Sequence, residues 1–492
     1  MEQVCPDGVN RPPASAEGLL PLCVDLDGTL TAADTLWESV ASVPAGSAGA
    51  WLEIATALAK GRAAFKEAVS RHAAPDVETL PWNAELVEYL RAEKARGRRI
   101  VLVTAAHRSI AEAVQRQLGL FDEVLATGDG RNLKGQAKAA LLRARFGERG
   151  FVYAGDSTAD LAVWAAAAGA VPVGVSGSVR RRIGAPVERE FPTSGGTWAA
   201  LAGALRVHQW LKNVLVAVPL VTSFDLRNPA TALKVLLAAA ALSLVASAQY
   251  LVNDVLDRQA DRRHPKKRGR AVASGRLSIP FALGAAGVLL AAGIAGGAWI
   301  DGAGLAVLLG GYFGLSLLYS GWVKTMPLAD VFLLAGLYVY RLVVGGEVSG
   351  HTVSVWLLNF SFFCFLSLAF LKRYVELTAH EGLAEAAVAR RGYAAGDAPM
   401  LSVMGVGSHF AAAVVLALYV HSETAGAIYG RPQFLWGFVP VYLLLQSRMW
   451  LWASRGWMED DPVRFVLRDR AGWMLVGAGV LVYVLAVAPA GR

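Results

Sequence analysis

Hydrophobic and polar positions follow two different patterns along this chain of 492 residues. Up to about residue 178, short apolar runs alternate with amphipathic stretches such as 84–96 and 136–146, as in strands that are separated by helices. From Leu211 onward the apolar runs approach the ~20 residues that a helix needs to cross a bilayer. We therefore expect an N-terminal α/β domain with a parallel sheet, followed by an all-helical membrane domain.

The long apolar runs predict nine membrane-spanning helices, and the charges between them predict their orientation. Eight lysines and arginines follow the second predicted span, and the loops after the fourth, sixth and eighth spans add more. The opposite side has only Arg227, Arg431 and Arg492. Because basic loops remain in the cytoplasm, the N-terminal domain is expected on the cytoplasmic face of a bacterial inner membrane. The predicted spans are 211–224, 233–251, 280–298, 303–320, 327–345, 354–371, 406–421, 433–452 and 471–489.

Composition agrees with a multi-pass membrane protein. Hydrophobic residues make up 55% of the chain and its mean hydropathy is +0.42, which is too apolar for an ordinary soluble protein. The net charge of +8 does not indicate nucleic acid, because the basic residues lie between apolar segments. Cys5, Cys23 and Cys364 form no CxxC pair, so we expect neither a disulfide framework nor a thiolate metal site. The first twenty residues show no signal peptide.

The end of the first predicted strand combines two carboxylates with a glycine. Asp25 and Asp27 are one residue apart, so both can point into one site while Leu26 turns the other way. Gly28 lets the backbone turn sharply after them. The two carboxylates can therefore serve a single site at the end of this strand.

Further polar motifs follow later elements of the same domain. Thr104 ends the second strand, Lys134 precedes a helix, and Asp156 and Asp160 follow a fourth strand. In this order, over residues 19–178, the motifs resemble those of the haloacid dehalogenase superfamily of phosphotransferases. The resemblance implies a Rossmann-like fold with a small helical cap at about 34–80.

The resemblance also implies a role for each motif residue. Asp25 would be the nucleophile and Asp27 the general acid and base, while Thr104 would bind phosphate and Lys134 would neutralise charge. Lys138, one helical turn further on, competes with Lys134 for that role. A fold retained without activity is the alternative to a working phosphatase. The implied magnesium ligands are Asp25, Asp27, Asp156 and Asp160.

The second predicted span ends in a group of acidic residues. Asp254, Asp257 and Asp261 are spaced i, i+3 and i+7, so a continuing helix places all three on one face. Carboxylates at a membrane helix end are costly unless they are paired or bound to metal. Oxygen ligands in this register suit Mg²⁺. The basic loop that follows could hold a diphosphate through His264, Lys266, Lys267, Arg268 and Arg270. Alternatively, the basic residues serve only as a cytoplasmic anchor.

The motif beginning at Asn253 resembles that of the UbiA superfamily of intramembrane prenyltransferases, over roughly 205–490. The bacterial decaprenyl-phosphate phosphoribosyltransferase branch matches better, through 209–213, 253–270, Asp330, 341–346, 372–374 and 467–470. This resemblance implies a nine-helix bundle, with Asp254 and Asp257 as catalytic residues. The implied metal ligands are Asp254, Asp257, Asp261 and Asp330. The implied substrate-binding residues are Gln209, Lys212, Asn253, Lys267, Arg268, Arg270, Lys324, Arg341, Lys372, Arg373 and Tyr374.

Two positions depart from the related patterns, and several residues have alternative explanations. Ala271 replaces a proline that usually follows Arg270, and Leu334 replaces a second aspartate four residues after Asp330 that many aromatic prenyltransferases carry. Arg341 either contacts a substrate phosphate or forms an internal ion pair, for example with Glu347. Three further residues have a structural alternative: lipid-headgroup anchoring for Lys372 and Arg373, and a local ion pair for Asp469.

Together, the resemblances imply a bifunctional enzyme with domains at 19–178 and 205–490, joined by a linker at 179–204. The membrane domain would transfer 5-phosphoribose from phosphoribosyl diphosphate to a polyprenyl phosphate, with Mg²⁺ as cofactor. The soluble domain would then remove the 5-phosphate. The alternatives are a prenyltransferase that uses an allylic diphosphate, or a transferase with a non-catalytic soluble domain. No nucleic-acid partner is expected, and a homo-oligomer is left open.

Overall fold

The structure, a computed structural model, describes residues 18–44, 46–127, 133–192, 195–378, 391–458 and 469–487. Positions 467 and 468 of the predicted 467–470 motif lie outside these ranges. The chain forms two compact units. The first comprises Met1–Leu205 with Leu251–Ala285, and the second comprises Arg206–Tyr250 with Ala286–Arg492. The acidic motif of the predicted membrane domain therefore groups with the soluble part of the chain, and the predicted domain bounds remain predictions.

The first unit is built around a five-stranded parallel sheet, as the alternation of strands and helices predicts. The strand order is β3-β2-β1-β4-β5, so the first strand lies in the centre. The strands are β1 (Leu22–Val24), β2 (Ile100–His107), β3 (Glu123–Thr127), β4 (Val152–Gly155) and β5 (Gly169–Pro172). The helices up to residue 204 are α1 (Thr35–Val40), α2 (Ala48–Lys60), α3 (Arg62–His72), α4 (Ala84–Ala95), α5 (Arg108–Leu118), α6 (Gln136–Phe146), α7 (Leu161–Ala166), α8 (Gly177–Arg180) and α9 (Thr197–Ala204).

Both faces of this sheet are buried, because its strands present apolar side chains in both directions. Leu22 and Val24 belong to the core on one face, and Cys23 between them belongs to the core on the other face. This period of two is the geometry of an extended strand. The covered sheet agrees with the rule that parallel sheets carry helices on both sides.

The residues predicted to form the cap are mostly helical. Helices α1, α2 and α3 lie within 34–80, and they have an apolar cluster of their own that includes Ile54, Phe65 and Val69. Asp34 begins α1 as its N-cap, since its carboxylate accepts hydrogen bonds from the backbone N–H groups of Leu36 and Trp37. The cap is therefore a helical insertion with its own small core.

Long apolar helices make up most of the remaining chain. Helix α11 continues to Arg263, so it carries the acidic motif at its end. The helices are α10 (Val218–Thr222), α11 (Pro229–Arg263), α12 (Ile279–Gly321), α13 (Ala329–Ser349), α14 (Val355–Thr378), α15 (Ala398–Val420), α16 (Glu423–Ile428), α17 (Phe438–Ser454) and α18 (Arg470–Val487).

Six helices among the described residues are long and apolar enough to cross a bilayer, which identifies a multi-pass membrane protein. The predicted number of nine remains a prediction. Two predicted spans fall in α12, which is interrupted by non-helical backbone at Asp301 and Gly302. The first predicted span is a 3₁₀ helix, Val207–Ala217, followed by the short α10, in which Pro219 supplies no backbone donor. Helix α17, within the eighth span, has 17 residues.

Candidate active sites

The parallel sheet brings three of the predicted phosphatase residues together. Asp25 directly follows β1, Thr104 lies in β2, and Asp156 directly follows β4. Since β1 pairs with both β2 and β4, these residues meet at the same edge of the sheet. Asp25, Asp156 and Asp160 each offer a carboxylate oxygen, and these oxygens lie within 4.8 Å of one another. Among the described residues, no other group of three such side chains meets this distance.

Asp160 is held by the turn that follows β4. Its Oδ2 accepts hydrogen bonds from the Ser157 hydroxyl at 2.9 Å and from the backbone N–H groups of Ser157 and Asp156. Its Oδ1 accepts a hydrogen bond of 2.9 Å from the Tyr153 hydroxyl. Asp160 is therefore a well-fixed carboxylate, and it orients the loop that carries Asp156.

Lys138 is the lysine that contacts the carboxylates. Its Nζ lies 2.7 Å from Asp25 Oδ2 and 3.9 Å from Asp160 Oδ1, and it donates a hydrogen bond of 2.8 Å to the Tyr153 hydroxyl. Lys138 is buried, whereas the side chain of Lys134 is exposed. The geometry thus favours the competitor over the residue that the motif order singled out. No sequence motif pointed to Tyr153, which links Lys138 to Asp160.

Negative charge in this cluster exceeds positive charge. Burial raises the pKa of Asp25, while the nearby ammonium group of Lys138 opposes the shift. Burial, together with repulsion from Asp160 and Asp25, raises the pKa of Asp156 to about 7. Three carboxylates beside one lysine favour a divalent cation, and hard oxygen donors suit Mg²⁺. The donor set therefore fits the magnesium that the resemblance implies, with Asp25 and Asp156 as the residues that would hold it.

Asp27 is separated from that cluster and faces the cap. Its Oδ1 accepts a hydrogen bond of 2.8 Å from the backbone N–H of Thr35, the first residue of α1. Burial, followed by repulsion from Asp34, raises the pKa of Asp27 to about 7. A carboxyl group that titrates near neutral pH can both give and take a proton. This environment suits the acid and base role that was predicted for Asp27.

The acidic residues of the second predicted site share one face of α11. Arg270 reaches back to two of them, since its Nη1 lies 2.7 Å from Asp261 Oδ2 and 3.5 Å from Asp254 Oδ1. Asp257 accepts a hydrogen bond of 3.0 Å from the side-chain amide of Asn253. The three carboxylates supply oxygen donors of the type that Mg²⁺ prefers.

Arg341, in the second unit, is buried among neutral groups. It donates to the Asn213 side-chain oxygen at 3.0 Å, to the Tyr312 hydroxyl at 2.8 Å and to the backbone carbonyl of Leu337. Asn213 in turn donates to the hydroxyl of Ser243 at 2.8 Å. Glu347, the predicted ion-pair partner, is exposed. A buried cation in a membrane helix with neutral partners fits a site for an anionic group.

Asp330 is engaged in an internal ion pair. It is fully buried, and its carboxylate accepts from Arg373 Nε at 2.5 Å and from the Tyr393 hydroxyl at 2.5 Å. Arg373 also contacts Glu376 and donates to the Tyr319 hydroxyl. The structure therefore brings two predicted residues together, Asp330 and Arg373, as partners of each other.

The remaining predicted substrate-binding residues lie on several elements. Lys212 Nζ lies 5.9 Å from the centroid of the Tyr338 ring. Asp469 pairs with Arg448 at 3.0 and 3.1 Å, which is the local ion pair considered as its alternative. Arg268 is exposed. The other remaining predicted substrate-binding residues are half-buried: Gln209, Lys212, Lys267, Lys324, Lys372 and Tyr374.

Two known protein families match different parts of this chain. Residues 194–466 match the UbiA prenyltransferase family, and residues 22–164 match haloacid dehalogenase-like hydrolases. This chain belongs to the UbiA prenyltransferase family. It also carries a haloacid dehalogenase-like domain at its N-terminus. Both matches confirm the resemblances drawn from the motifs.

Relatives of this UbiA-family protein include one that matches both parts. The uncharacterized protein y4nM of Sinorhizobium fredii is 36% identical over 472 residues, covering 95% of this chain and 91% of its own length. A decaprenyl-phosphate phosphoribosyltransferase of Corynebacterium glutamicum is 42% identical over 183 residues, covering 36% of this chain and 54% of its own. A solved UbiA homologue from Archaeoglobus fulgidus, bound to DMAPP and Mg²⁺, covers 59% of this chain and 96% of its own, with a TM-score of 0.42 and 14% identity.

Gly28 gives a first test of the phosphatase site. Its φ is +77°, and an added Cβ would lie 2.2 Å from Asp156 Oδ2. We expect Gly28→Ala to abolish phosphatase activity and weaken Mg²⁺ binding, because Asp156 must move. Gly97→Ala is the control, since its φ is +83° with open space around the Cβ position. In both variants an alanine must adopt a positive φ, which costs roughly 1–2 kcal/mol. Equal activities would therefore contradict the idea that the added Cβ displaces Asp156. Phosphate release and Mg²⁺ titration measure the effects.

The two candidate lysines are separated by a pair of matched substitutions. We expect Lys138→Met to lower phosphatase kcat by about a hundredfold, because it removes the cation that lies beside Asp25. Lys134→Met changes an exposed side chain and should cost much less. Phosphate release by the two purified variants is the measurement, with thermal unfolding as the check on folding. A larger loss in Lys134→Met would assign the role to Lys134.

The Asp330–Arg373 pair predicts a stability effect. We expect Asp330→Asn to destabilise the protein by about 3–5 kcal/mol, since Arg373 would lose a buried partner, while the Mg²⁺ dependence of transfer stays unchanged. Asp301→Asn is the control, because Asp301 pairs at 3.3 Å with the exposed Lys234. Thermal unfolding and Mg²⁺ titration of activity are the measurements. A shifted Mg²⁺ dependence without loss of stability would restore Asp330 as a metal ligand.

Proposed function

We propose that this chain transfers 5-phosphoribose from phosphoribosyl diphosphate to a polyprenyl phosphate and then removes the 5-phosphate from the product. The acidic face at the end of α11 carries the proposal. There Asp254, Asp257 and Asp261 share one side of the helix, and Arg270 reaches back to two of them. The 42% identity with a decaprenyl-phosphate phosphoribosyltransferase supports the phosphoribosyl donor over 183 residues.

In the proposed transfer, a phosphate oxygen of the lipid attacks the anomeric carbon of the sugar, and the bond from that carbon to diphosphate breaks. Mg²⁺ held by Asp254, Asp257 and Asp261 would neutralise charge on the diphosphate. Arg270 is placed to contact a diphosphate oxygen, since its guanidinium already lies at the acidic face. Within the second unit, Asn213 and Tyr312 hold the buried cation of Arg341 in place, which suits it to an anionic group.

In the proposed hydrolysis, Asp25 attacks the phosphorus atom of the 5-phosphate. The bond between phosphorus and the ribose oxygen breaks, and Asp27 donates the proton that this oxygen requires. Water then attacks the phosphorus atom of the aspartyl phosphate while Asp27 accepts its proton. The bond between phosphorus and Asp25 breaks, which releases phosphate and restores the Asp25 carboxylate. Lys138 supports the attack because it holds the Asp25 carboxylate at 2.7 Å and balances negative charge that accumulates there.

Fusion of the two domains supports their action in one sequence of reactions. The transfer product still carries a 5-phosphate, which is a substrate for a phosphatase on the same side of the membrane. The distribution of basic loops supports the cytoplasmic face for both sites. Covalent linkage would raise the local concentration of the second site for the product of the first.

Two alternatives make different predictions for the label that enters lipid. A UbiA-type prenyltransferase with an allylic diphosphate donor would incorporate labelled prenyl diphosphate and no labelled phosphoribose. A transferase with a non-catalytic soluble domain would form the phosphorylated lipid and leave it unchanged. Purified protein in detergent, given each labelled donor in turn with polyprenyl phosphate, distinguishes these cases.

The decisive measurement is mass spectrometry of the lipid products. We expect the unaltered protein to form polyprenyl-phosphoryl ribose, and Asp25→Asn to accumulate the same lipid with one additional phosphate. Asp254→Asn should form neither product, because it removes a carboxylate of the acidic face. Identical products from the unaltered protein and Asp25→Asn would contradict the phosphatase step. Failure of phosphoribose to enter lipid would contradict the transfer.

A further inference from the structure

The last turns of α11 carry arginines beside the acidic face. At 3.6 residues per turn, Arg258 and Arg262 lie on a face that neighbours the one with Asp254 and Asp261. Both arginines are buried, as the side chain of Arg258 is 3% exposed and that of Arg262 is 6% exposed. Neither was predicted to bind substrate, and the positive-inside rule gave them only a topological role.

Within the first unit, both arginines bind one carboxylate of the phosphatase cap. Arg258 Nε lies 2.7 Å from Glu38 Oε2, and Arg262 Nη2 lies 2.5 Å from Glu38 Oε1. Glu38 belongs to α1 and is only 2% exposed. A charge buried to this extent requires a partner, so Glu38 and the two arginines depend on one another.

Arg258 also donates hydrogen bonds to acceptors at the C-terminal end of α1. It donates to the backbone carbonyls of Glu38 and Ala41 at 3.0 and 3.2 Å and to the Ser42 hydroxyl at 2.8 Å. Close backbone packing accompanies these bonds, since a Cβ on Gly275 would lie 2.6 Å from the Cβ of Ala32. The segment Leu251–Ala285 is thus fitted against α1 by hydrogen bonds, charge and shape.

The opposite end of α1 contacts the proposed acid of the phosphatase. Thr35, its first residue, donates its backbone N–H to Asp27 Oδ1 at 2.8 Å. A helix of six residues does not hold its own conformation in water, so α1 depends on what binds it. The arginines at one end of α1 and Asp27 at the other are therefore linked through a short helix that the arginines hold.

We propose that Glu38, Arg258 and Arg262 form a clamp that positions α1 and, through Thr35, the proton-donating Asp27. Proton donation in the phosphatase domain then depends on two arginines that follow the transferase's acidic motif in the same helix. The clamp residues are positioning residues, since they contact neither the substrate nor the reacting atoms. The inference rests on the proposed function, which assigns the acid and base role to Asp27.

The test uses two phosphate esters that differ in their need for an acid. An alkyl ester such as ribose 5-phosphate has a poor leaving group that requires a proton, whereas 4-nitrophenyl phosphate has a good leaving group that does not. General acid catalysis contributes about 10²–10⁴-fold. In the full-length purified protein, we expect Arg258→Gln to lower kcat for ribose 5-phosphate at least tenfold. The kcat for 4-nitrophenyl phosphate and the KM values for both esters should change little.

Several variants separate positioning from general destabilisation. Asp27→Asn should show the same preference for 4-nitrophenyl phosphate, to a larger extent. Glu38→Gln combined with Arg258→Gln should cost no more than either change alone, because all act through one contact. Arg263→Gln is the matched control, since Arg263 is the neighbouring arginine, 65% exposed and paired at 2.6 Å with Asp76. It should leave both kcat values unchanged.

The outcomes distinguish the clamp from the proposed function. An equal loss with both esters, or no loss at all, in Arg258→Gln overturns the clamp if hydrolysis by the unaltered protein still requires Asp25. If Asp25→Asn hydrolyses both esters at the unaltered rate, the phosphatase assignment and the clamp fall together. Where Arg258→Gln does not fold, Arg258→Lys keeps the charge but loses the hydrogen bonds to α1, and the same difference between the esters is expected at a smaller size.

Discussion

Carboxylates that lie out of water require a cation close by, and this requirement governs both units of the protein. Four buried or half-buried acidic side chains near the proposed sites have a lysine or arginine within hydrogen-bond distance. Apart from Asp261 and Arg270, which are 9 residues apart, the partners come from elements far apart in sequence, so these ion pairs also hold elements together. The pairs are Asp25 with Lys138, Asp261 with Arg270, Glu38 with Arg258 and Asp330 with Arg373.

The balance of charge separates sites that can bind a metal ion from contacts that support the fold. Three carboxylates lie close to Lys138, so this place keeps an excess of negative charge. Glu38 instead pairs with two arginines. Its carboxylate is therefore already neutralised and has no excess charge for a metal ion. Mg²⁺ would neutralise an excess of carboxylate oxygens, and carboxylates are grouped at both of the proposed sites.

Much of the phosphatase site could be predicted from the sequence, because Asp25 and Asp156 directly follow strands and Thr104 lies in the C-terminal half of one. Parallel strands place their carboxyl ends at one edge, so Asp25, Thr104 and Asp156 had to converge once the sheet was recognised. The sequence could not decide between Lys134 and Lys138, since they are one helical turn apart and either fits the order of the motifs. Direction, not distance along the chain, decides which one reaches Asp25.

The acidic face of α11 was predictable for a similar reason, as helical spacing alone aligns Asp254, Asp257 and Asp261. Pairs that join distant elements were not. Asp330 and Arg373 stand 43 residues apart and were assigned to a metal and a substrate, although each is the other's partner. The break at Asp301 in α12, in contrast, lies between the predicted spans 280–298 and 303–320.

Glu38 lies in the cap, whose sequence carries no recognisable motif. Its ion pairs with Arg258 and Arg262 show that the cap and the end of α11 depend on each other. The segment Leu251–Ala285 belongs to the first unit, although the sequence assigns it to the membrane domain. Removing the soluble domain would therefore uncover Arg258 and Arg262, which are buried against α1. Two exposed cations beside the acidic face would compete for its carboxylates. Truncation would thus alter the acidic face of α11 itself, whereas single substitutions that keep the first unit intact report on each proposed site separately.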